Sequence, residues 1–307
     1  MPITTSSAFI GTPIEELFGS LVLGAETVDK GLLEIFPDKR NKVYLNRFNL
    51  AADVLTTRVA SPDSNTIDYV KDERAITPGS HEFYQEFDPR DFGIDNWRFL
   101  WPLGPDVDPA PANELRRAIL EATLDRVNEG VDTNIWQGDT AAGSDPLQIT
   151  DGYVKIATAD ADVIDTTPAP ITPANVISVF EGVLAAATAA MREKGSPTLI
   201  TDHATKYSYQ EAARALDFKG TNIGEAMVDR FGGFPIVSVG GMPASTIFFT
   251  DSSTGGNLKM STWMTSDLNN IQIEPKNAHS DLWFVRFGFD FGVNYVNGSE
   301  IVMHKAS

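Results

Sequence analysis

The chain contains no cysteine and only four histidines among its 307 residues. Without thiols it forms neither disulfides nor thiolate metal sites, and it has no cysteine nucleophile. No apolar run reaches the roughly 18 residues that a membrane span needs. The first ten residues carry neither the basic start nor the long apolar stretch of a secretory signal, so we expect synthesis inside the cell.

Basic residues are scarce as well. Lys and Arg number 24 against 42 Asp and Glu, which gives a formal net charge of −18. Affinity for nucleic acid rests on Lys and Arg neutralising phosphates, so this balance disfavours a DNA-binding protein. It is compatible with the wall of a compartment that holds nucleic acid without gripping it. It fits equally well a soluble acidic protein with no nucleic-acid partner.

No group of residues has the pattern of a catalytic, cofactor or metal site. The four histidines are scattered, and Asp202-His203 at the end of a predicted strand is more typical of a capping or surface pair than of a metal pair. Three aspartates match part of a calcium loop but lack its central glycine and closing glutamate: Asp160, Asp162 and Asp165. The glycine pairs in 231–235 and 239–243 lack phosphate-loop spacing, and we interpret them as a helix stop and a hairpin turn. The sequence therefore indicates no enzyme.

Residues 1–42 are predicted to form an extended arm with short helices. Thr12-Pro13, followed by two glutamates, is a helix start, and recurring glycines prevent a long helix. Apolar residues such as Phe18 and Leu33 still need burial. We expect an arm of this kind, which cannot form its own core, to lie against another surface.

Residues 43–95 are predicted to be extended. Their β-rich runs are separated by the turn compositions 61–65 and 77–80. This pattern predicts a long hairpin or loop with a bulky tip, and an ordinary β-meander within a domain is the alternative. Four basic residues lie here among carboxylates and are plausible partners for acidic faces of a neighbouring chain: Arg47, Arg58, Lys71 and Arg74.

A long helix opens at Asp108-Pro109 and is predicted to run to about Trp136, tolerating Gly130. Its length is on the order of 40 Å, which is long for a globular protein. One apolar stripe at helical spacing consists of Leu120, Leu124, Val127, Val131 and Ile135. A second stripe covers another side of the first turns, and acidic residues including Asp132 share the remaining face. A helix with this pattern is held between two layers, so we call it the spine helix.

Residues 150–266 alternate strands and helices, which predicts an α/β lobe. The predicted helices cover 172–195, about 206–216 and 221–231, and the predicted strands cover 198–201, 235–239 and 246–250. The acidic, proline-rich stretch 159–170 is predicted to be a surface loop.

The C-terminal segment has the clearest pattern. Every odd position from Trp283 to Tyr295 is aromatic or β-branched, and polar residues or glycine occupy the even positions from Arg286 to Asn294. This alternation predicts a half-buried strand about 40–45 Å long. Asn297-Gly298 predicts a tight turn with 301–303 returning as the partner strand, and Ile271 and Ile273 predict a third strand. We expect the spine helix to pack lengthwise on this strand, against Phe287, Phe289 and Phe291.

Several packing and turn motifs occur in a distinctive order. They are 26–33, 134–139 at the end of the spine helix, the helix start 171–176, the run 233–237 leading to Met242-Pro243, and the ending 298–302. With these motifs in this order, nearly the whole chain resembles a tailed-bacteriophage major capsid protein of the Hong Kong 97-like family. None of the motifs is a catalytic signature.

The resemblance implies an α+β fold with an N-terminal arm (1–42), an extended β E-loop (43–95), a peripheral domain with the spine helix on a long-stranded antiparallel sheet (96–149 and 267–307), and an α/β axial domain (150–266). It implies a structural protein without cofactors, assembled in the bacterial host cytoplasm as hexamers and pentamers of an icosahedral virion shell around double-stranded DNA. Portal protein and separate scaffolding or decoration proteins are the implied partners. The candidate inter-subunit contacts are Phe18, Leu33, Arg47, Phe48, Leu55, Arg58, Lys71 and Arg74.

Two other functions stay open at this point. An encapsulin has the same fold and a similar length but encloses a cargo enzyme instead of a genome. An acidic α/β hydrolase or binding protein with a β-rich appendage is the alternative from a different class. Particle size and nucleic-acid content distinguish the first, and a monomeric state at high concentration favours the second.

Overall fold

The computed structural model describes residues 25–50, 69–88, 113–142, 147–215, 229–253, 255–263, 272–276 and 282–306. In these residues the backbone forms a five-stranded sheet, a six-stranded sheet and a two-stranded hairpin. The helices are α1 (Glu26–Asp29), α2 (Asn113–Gln137), α3 (Tyr153–Ala159), α4 (Val176–Ala186), α5 (Ala189–Glu193) and α6 (His203–Ala215). The strands are β1 (Glu34–Phe36), β2 (Val43–Leu50), β3 (Tyr69–Ile76), β4 (Gly79–Phe87), β5 (Ile164–Asp165), β6 (Pro197–Thr201), β7 (Arg230–Phe231), β8 (Phe234–Ser238), β9 (Ile247–Asp251), β10 (Leu258–Trp263), β11 (Gln272–Pro275), β12 (Trp283–Tyr295) and β13 (Val302–His304).

The five-stranded sheet is built around β12, whose bounds confirm the predicted strand. β4 pairs with it along 283–291 on one side, and β10 and β11 pair with it on the other, all antiparallel. β1 joins the outer edge of β10 in parallel. Every odd position from Trp283 to Tyr295 is at most 8% exposed, so the predicted alternation is confirmed. The third strand predicted around Ile273 is confirmed as β11.

The buried face of β12 carries a row of stacked rings. Phe287 and Phe289 have centroids 6.4 Å apart, and Phe289 and Phe291 have centroids 6.0 Å apart. Phe83 and His81 of β4 extend the row, since Phe83 stacks on Phe287 at 5.1 Å and His81 stacks on Phe291 at 4.2 Å. We call these five residues the aromatic row. Such stacking adds to the free energy gained by burying the rings.

The spine helix is α2, which begins later than predicted, at Asn113, and ends one residue beyond Trp136. Val127, Val131 and Ile135 are buried in the same core as the aromatic row. The side chains of Leu120 and Leu124 lie outside the described residues, so lengthwise packing of the whole stripe stays a prediction. In the described part of the chain, none of the helices combines the length and apolar character needed to cross a bilayer.

The six-stranded sheet has the order β5-β13-β9-β6-β8-β7, with β6 and β8 parallel. The strands predicted at 198–201, 235–239 and 246–250 are confirmed as β6, β8 and β9, and α6 confirms the helix predicted near 206–216. A second core lies under α4 and α6, where Phe180 contacts Tyr209 edge to face at 5.3 Å.

The helix predicted over 172–195 is instead two helices. α4 ends at Ala186, and Ala187 and Thr188 have extended backbone angles. The Thr188 side chain accepts a hydrogen bond from the Met191 backbone at 3.3 Å and so caps the start of α5. The first backbone N–H groups of a helix have no acceptor within that helix. The Thr188 hydroxyl accepts from one of these groups at the start of α5, so the break between the two helices is locally stabilised. Gly195, with φ of +61°, follows the end of α5.

The interpretation of Gly232-Gly233 as a helix stop is wrong. The two residues have φ of +58° and +92° and form the turn of the β7–β8 hairpin. Two successive positive φ angles are those of a tight hairpin turn and favour glycine at both places. Most of the helix predicted over 221–231 lies outside the described residues, and its last two residues form β7.

Three strands pair with strands that the sequence analysis assigned to a different domain. β4, within the predicted E-loop, pairs with β12, and β10, within the predicted axial domain, does the same. β13 pairs with β9 and β5 of the six-stranded sheet, which overturns its prediction as the partner of β12. The turn at 298–300 is a 3-10 helix that carries the chain from one sheet to the other. The predicted surface loop 159–170 contains β5.

The first prediction concerns the aromatic row. Phe287→Ala removes a fully buried ring and should lower the free energy of unfolding by about 3–5 kcal/mol, because it leaves a cavity in the core. Phe284→Ala lies on the same strand but on its opposite, partly exposed face, and should cost much less. Chemical denaturation of the two purified variants measures the difference. Equal losses would contradict the assignment of the buried face.

The second prediction concerns His81, which is 6% exposed, with Nδ1 3.1 Å from the Gly79 carbonyl oxygen. Burial lowers the pKa of His81 to about 4 from its ordinary value of 6.5. The unfolded chain therefore takes up this proton first as the pH falls, so the contribution of His81 to stability is complete above about pH 6.5 and is lost on the way down to about pH 4.

The variant His81→Leu should lack this pH dependence. Between pH 7 and pH 4 the parent should lose up to about 3 kcal/mol more stability than the variant. Urea denaturation at several pH values in this window measures both slopes. Parallel slopes for the parent and the variant would show that His81 does not titrate in this way.

Candidate assembly surfaces

The root of the N-terminal arm is fastened to the spine helix by a buried carboxylate. The Thr27 backbone N donates to Asp132 Oδ1 at 2.9 Å, and the Thr27 hydroxyl donates to the same oxygen. Trp136 Nε1 donates to the Thr27 hydroxyl at 2.8 Å, and the Gly241 backbone N donates to Asp132 Oδ2 at 2.6 Å. Gly241 lies so close to the α2 backbone that a side chain has no room there. α1 and the turn after β8 are thus both held on the last turns of α2.

Glu26 makes a second connection between the arm and the six-stranded sheet. Its carboxylate accepts the Gly240 backbone N–H at 2.6 Å and lies 3.0 Å from His203 Nε2, and Lys30 pairs with it as well. Burial alone would raise the pKa of Glu26, but these hydrogen bonds hold it below its ordinary value. Asp202 accepts the Thr205 backbone N–H at 3.1 Å at the start of α6. The Asp202-His203 pair therefore has a capping and arm-binding role.

Leu33 lies in the subunit's own core, together with Ala25, Val28 and Leu32. This corrects the expectation that its burial requires a neighbouring chain, and it corrects the general expectation for the arm over 25–36. The reason is the pairing of β1 with β10, which sequence periodicity did not indicate. Phe18 lies outside the described residues, so its predicted contact stays a prediction.

β2 and β3 form an antiparallel hairpin from the pair Val43–Ile76 to the pair Leu50–Tyr69. Its root is buried, since Leu45 and Ile76 are covered, whereas Tyr44 is 57% exposed. The intervening residues 51–68 lie outside the described ranges, and so do the predicted contacts Leu55 and Arg58. The backbones of Phe48 and Lys71 pair with each other in the hairpin, but their side chains are not among those described. The predicted long hairpin is confirmed over 43–50 and 69–76.

Arg47 and Arg74 have partners within the subunit. Arg47 Nε donates to Asp72 Oδ2 at 2.9 Å, and its guanidinium lies 3.5 Å from Asp162. Arg74 pairs with Asp160 at 2.5 Å. Both arginine side chains are only 17% exposed. The sequence did not indicate these intrachain pairs, and the predicted contact of both arginines with a neighbour's acidic face stays a prediction.

The same contacts engage Asp160, one of the three aspartates that match part of a calcium loop. Asp160 accepts from Arg74, from the Tyr295 hydroxyl and from the Asp162 backbone, so its oxygens are engaged by donors that compete with any cation. In the described ranges, no cluster of three or more His, Asp or Glu side chains is arranged to hold a metal ion. The arrangement has the character of a structural anchor.

The sequence did not indicate that Thr27, Asp132 and Tyr295 hold separate parts of the chain together. Asp132 was assigned to the acidic face of the spine helix, where it follows the helical pattern of the other acids. Its partner Thr27 lies 105 residues away, and no local signal links the two. The sequence did indicate the hairpin as a segment, but not the contacts that hold it.

Comparison with known proteins identifies the fold. No protein-family model matches the sequence. No curated protein matches it either. Solved structures match over nearly the whole chain, each at low sequence identity. A chain of the satellite phage P4 procapsid, in a structure that includes the size determination (Sid) protein, is 12% identical with a TM-score of 0.63, over 98% of this chain and 93% of that chain.

Two further structures agree. The capsid of a native GTA particle is 12% identical with a TM-score of 0.59, covering 100% of this chain and 95% of that chain. A virus-like particle from Pyrococcus furiosus is 9% identical with a TM-score of 0.52, covering 95% of this chain and 98% of that chain. At these identities the likeness concerns the fold. With its spine helix, its long-stranded sheet, its α/β lobe and its two-stranded hairpin, this chain has the Hong Kong 97-like fold of phage major capsid proteins.

Proposed function

We propose that this chain is a structural shell subunit that assembles as hexamers and pentamers into an icosahedral capsid enclosing double-stranded DNA. The observation that carries the proposal is the match to capsid structures over nearly the full length of both chains. A match of that extent includes the arm and the hairpin, which are the parts least useful to a monomeric protein. The site of action is then the virion, after assembly in the bacterial host cytoplasm.

The composition supports a container that does not bind its contents tightly. With a net charge of −18, the chain has few cations to neutralise phosphates, so a genome is enclosed without sequence-specific binding. The basic side chains described above, Lys30, Arg47 and Arg74, are engaged with carboxylates of the same subunit. Portal protein and separate scaffolding or decoration proteins are the partners we propose, and the function needs no catalytic activity.

A second candidate is the shell of a cargo-filled nanocompartment, as in encapsulins. The structural match to a virus-like particle from Pyrococcus furiosus favours keeping it. Both candidates use the same subunit fold. The nucleic-acid content and the diameter of purified particles distinguish them, because a genome requires a larger shell that contains DNA.

The hairpin is an argument for assembly whether the shell holds a genome or a cargo enzyme. Each of its strands has eight residues and extends about 27 Å. A two-stranded hairpin is only marginally stable in water unless another surface covers it. We therefore propose that a neighbouring subunit covers the outer part of the hairpin, beyond its buried root.

The third prediction is that the purified chain forms closed or sheet-like assemblies. Extended segments bury their apolar surface against neighbours, which gives large shared interfaces. Sedimentation at tens of micromolar, together with negative-stain electron microscopy, measures the outcome. A monomer under all conditions, with scaffolding protein supplied, would count decisively against the proposed function.

The fourth prediction separates assembly from folding. Replacing residues 51–68 with a short glycine-serine linker leaves both hairpin strands and all described core residues in place. The variant should stay soluble and melt cooperatively within a few degrees of the parent, but it should form no shells. Differential scanning calorimetry and electron microscopy measure the two properties. Loss of cooperative melting would place this segment in a subunit core.

A further inference from the structure

The hairpin is tied to the subunit body by an arginine held between a carboxylate and a ring. Arg74 Nη2 lies 2.5 Å from Asp160 Oδ2, and its Cζ lies 4.7 Å from the centre of the Tyr295 ring. The Tyr295 hydroxyl donates to the same Asp160 oxygen at 2.7 Å. Three separate parts of the chain thus meet here: β3, the loop after α3, and the end of β12.

The loop that carries Asp160 is itself held in place. The Asp162 backbone N donates to Asp160 Oδ1 at 3.0 Å, and Gly298 lies so close to Asp160 that a side chain would collide with the carboxylate. Arg47, on the other strand of the hairpin, reaches Asp162 at 3.5 Å. Both strands of the hairpin are therefore attached to one short loop, and two attachment points restrict rotation of the hairpin more than one point does.

The charges of this anchor are stable at neutral pH. Burial alone would raise the pKa of Asp160, but hydrogen bonds from Tyr295, from the Asp162 backbone and from Arg74 lower it. The pKa of Arg74 is raised by its contacts with Asp160 in spite of burial. Within the described residues, Arg74 Nε is buried without a hydrogen-bond partner. An ion pair with an unsatisfied donor is a poor source of stability, and its value lies in fixing one geometry.

A small change in the direction of the hairpin at its root moves its far end by several ångströms. Arg74 stands opposite Leu45, and the strands continue for five more residues to Leu50, about 17 Å beyond the anchor. A rotation of about 15° at the root moves the end of the strands by about 4 Å. A displacement of that size separates a well-packed interface from a poor one, since preorganised partners move by about 1 Å or less when they associate.

We propose that Arg74 and Asp160 are a positioning pair that fixes the direction in which the hairpin leaves the subunit, and that this direction sets the curvature and the size of the assembled shell. The inference rests on the proposed shell function and deepens it. It assigns to one intrachain ion pair the control of how neighbouring subunits meet. An apolar contact at the same place would hold the hairpin but allow it to slide.

Asp160→Asn tests the pair directly, because it removes the charge while its single carbonyl oxygen can still accept from the Asp162 backbone N, and its amide N–H can donate to the Tyr295 hydroxyl oxygen in place of the present bond. Arg74→Lys is the milder second variant, which keeps the charge and loses the planar contacts. Glu82→Gln and Arg286→Lys are the matched controls, because this Glu–Arg pair also joins two strands but lies exposed on the outer face of the five-stranded sheet.

The absence of cysteine allows a direct measurement of the hairpin in unassembled subunits. Spin labels at Asn49→Cys, near the far end of the paired strands, and at Ala185→Cys on α4 report the distance between the hairpin and the body by pulsed electron resonance. In both anchor variants the distance distribution should become clearly broader than in the parent, with a melting temperature within a few degrees of it. In the control variants the distribution should match that of the parent.

The assembly measurement uses the unlabelled variants. Particles of the parent's diameter should fall to less than half of the total in Asp160→Asn, replaced by particles of other sizes or open sheets. The control variants should keep the parent's size distribution. Unchanged distance distributions with unchanged particle sizes in both anchor variants would overturn the inference and leave the shell function intact. A parent chain that forms no particles at all would instead overturn the proposed function.

Discussion

The structure depends on the burial of one face of β12. Its odd positions form a row of large apolar side chains, and each of them gains about 1.5–3 kcal/mol when it is removed from water. That gain is available only if the strand is covered along its whole length. β4 covers one edge, β10 and β11 cover the other, and Val127, Val131 and Ile135 of the spine helix lie in the same core. The positions of the arm and of the hairpin root follow from this core.

Two carboxylates, the buried Asp132 and the partly buried Asp160, connect the remaining parts to the core. Asp132 holds α1 and the turn after β8 on the spine helix, and Asp160 holds the hairpin on the end of β12. Each accepts backbone, hydroxyl or guanidinium donors, which compensates the cost of removing a charge from water. The acidic composition of the chain is thus put to structural use. Among the described residues, the acidic side chains form no cluster of three or more that could hold a metal ion.

The candidate assembly residues were predictable by segment but not by partner. The sequence correctly located the hairpin, yet it did not indicate that Arg47 and Arg74 pair with Asp72 and Asp160 of the same subunit. A charge pattern shows that a cation has a carboxylate partner, but it does not show where in the fold that carboxylate lies. Leu33 was misassigned because its cover comes from strands far away in the sequence.

What the sequence by itself determined is the set of elements with a strong local period: the strand Trp283–Tyr295, most of the spine helix, and the strands β6, β8 and β9. Side-chain period is a local property, and burial on one face enforces it. Only the tertiary structure decided that β4 and β10 belong to one sheet and β13 to the other, and that Thr27 binds Asp132. Those choices depend on contacts between distant residues, whose energies compare whole arrangements of the chain and leave no trace in a local pattern.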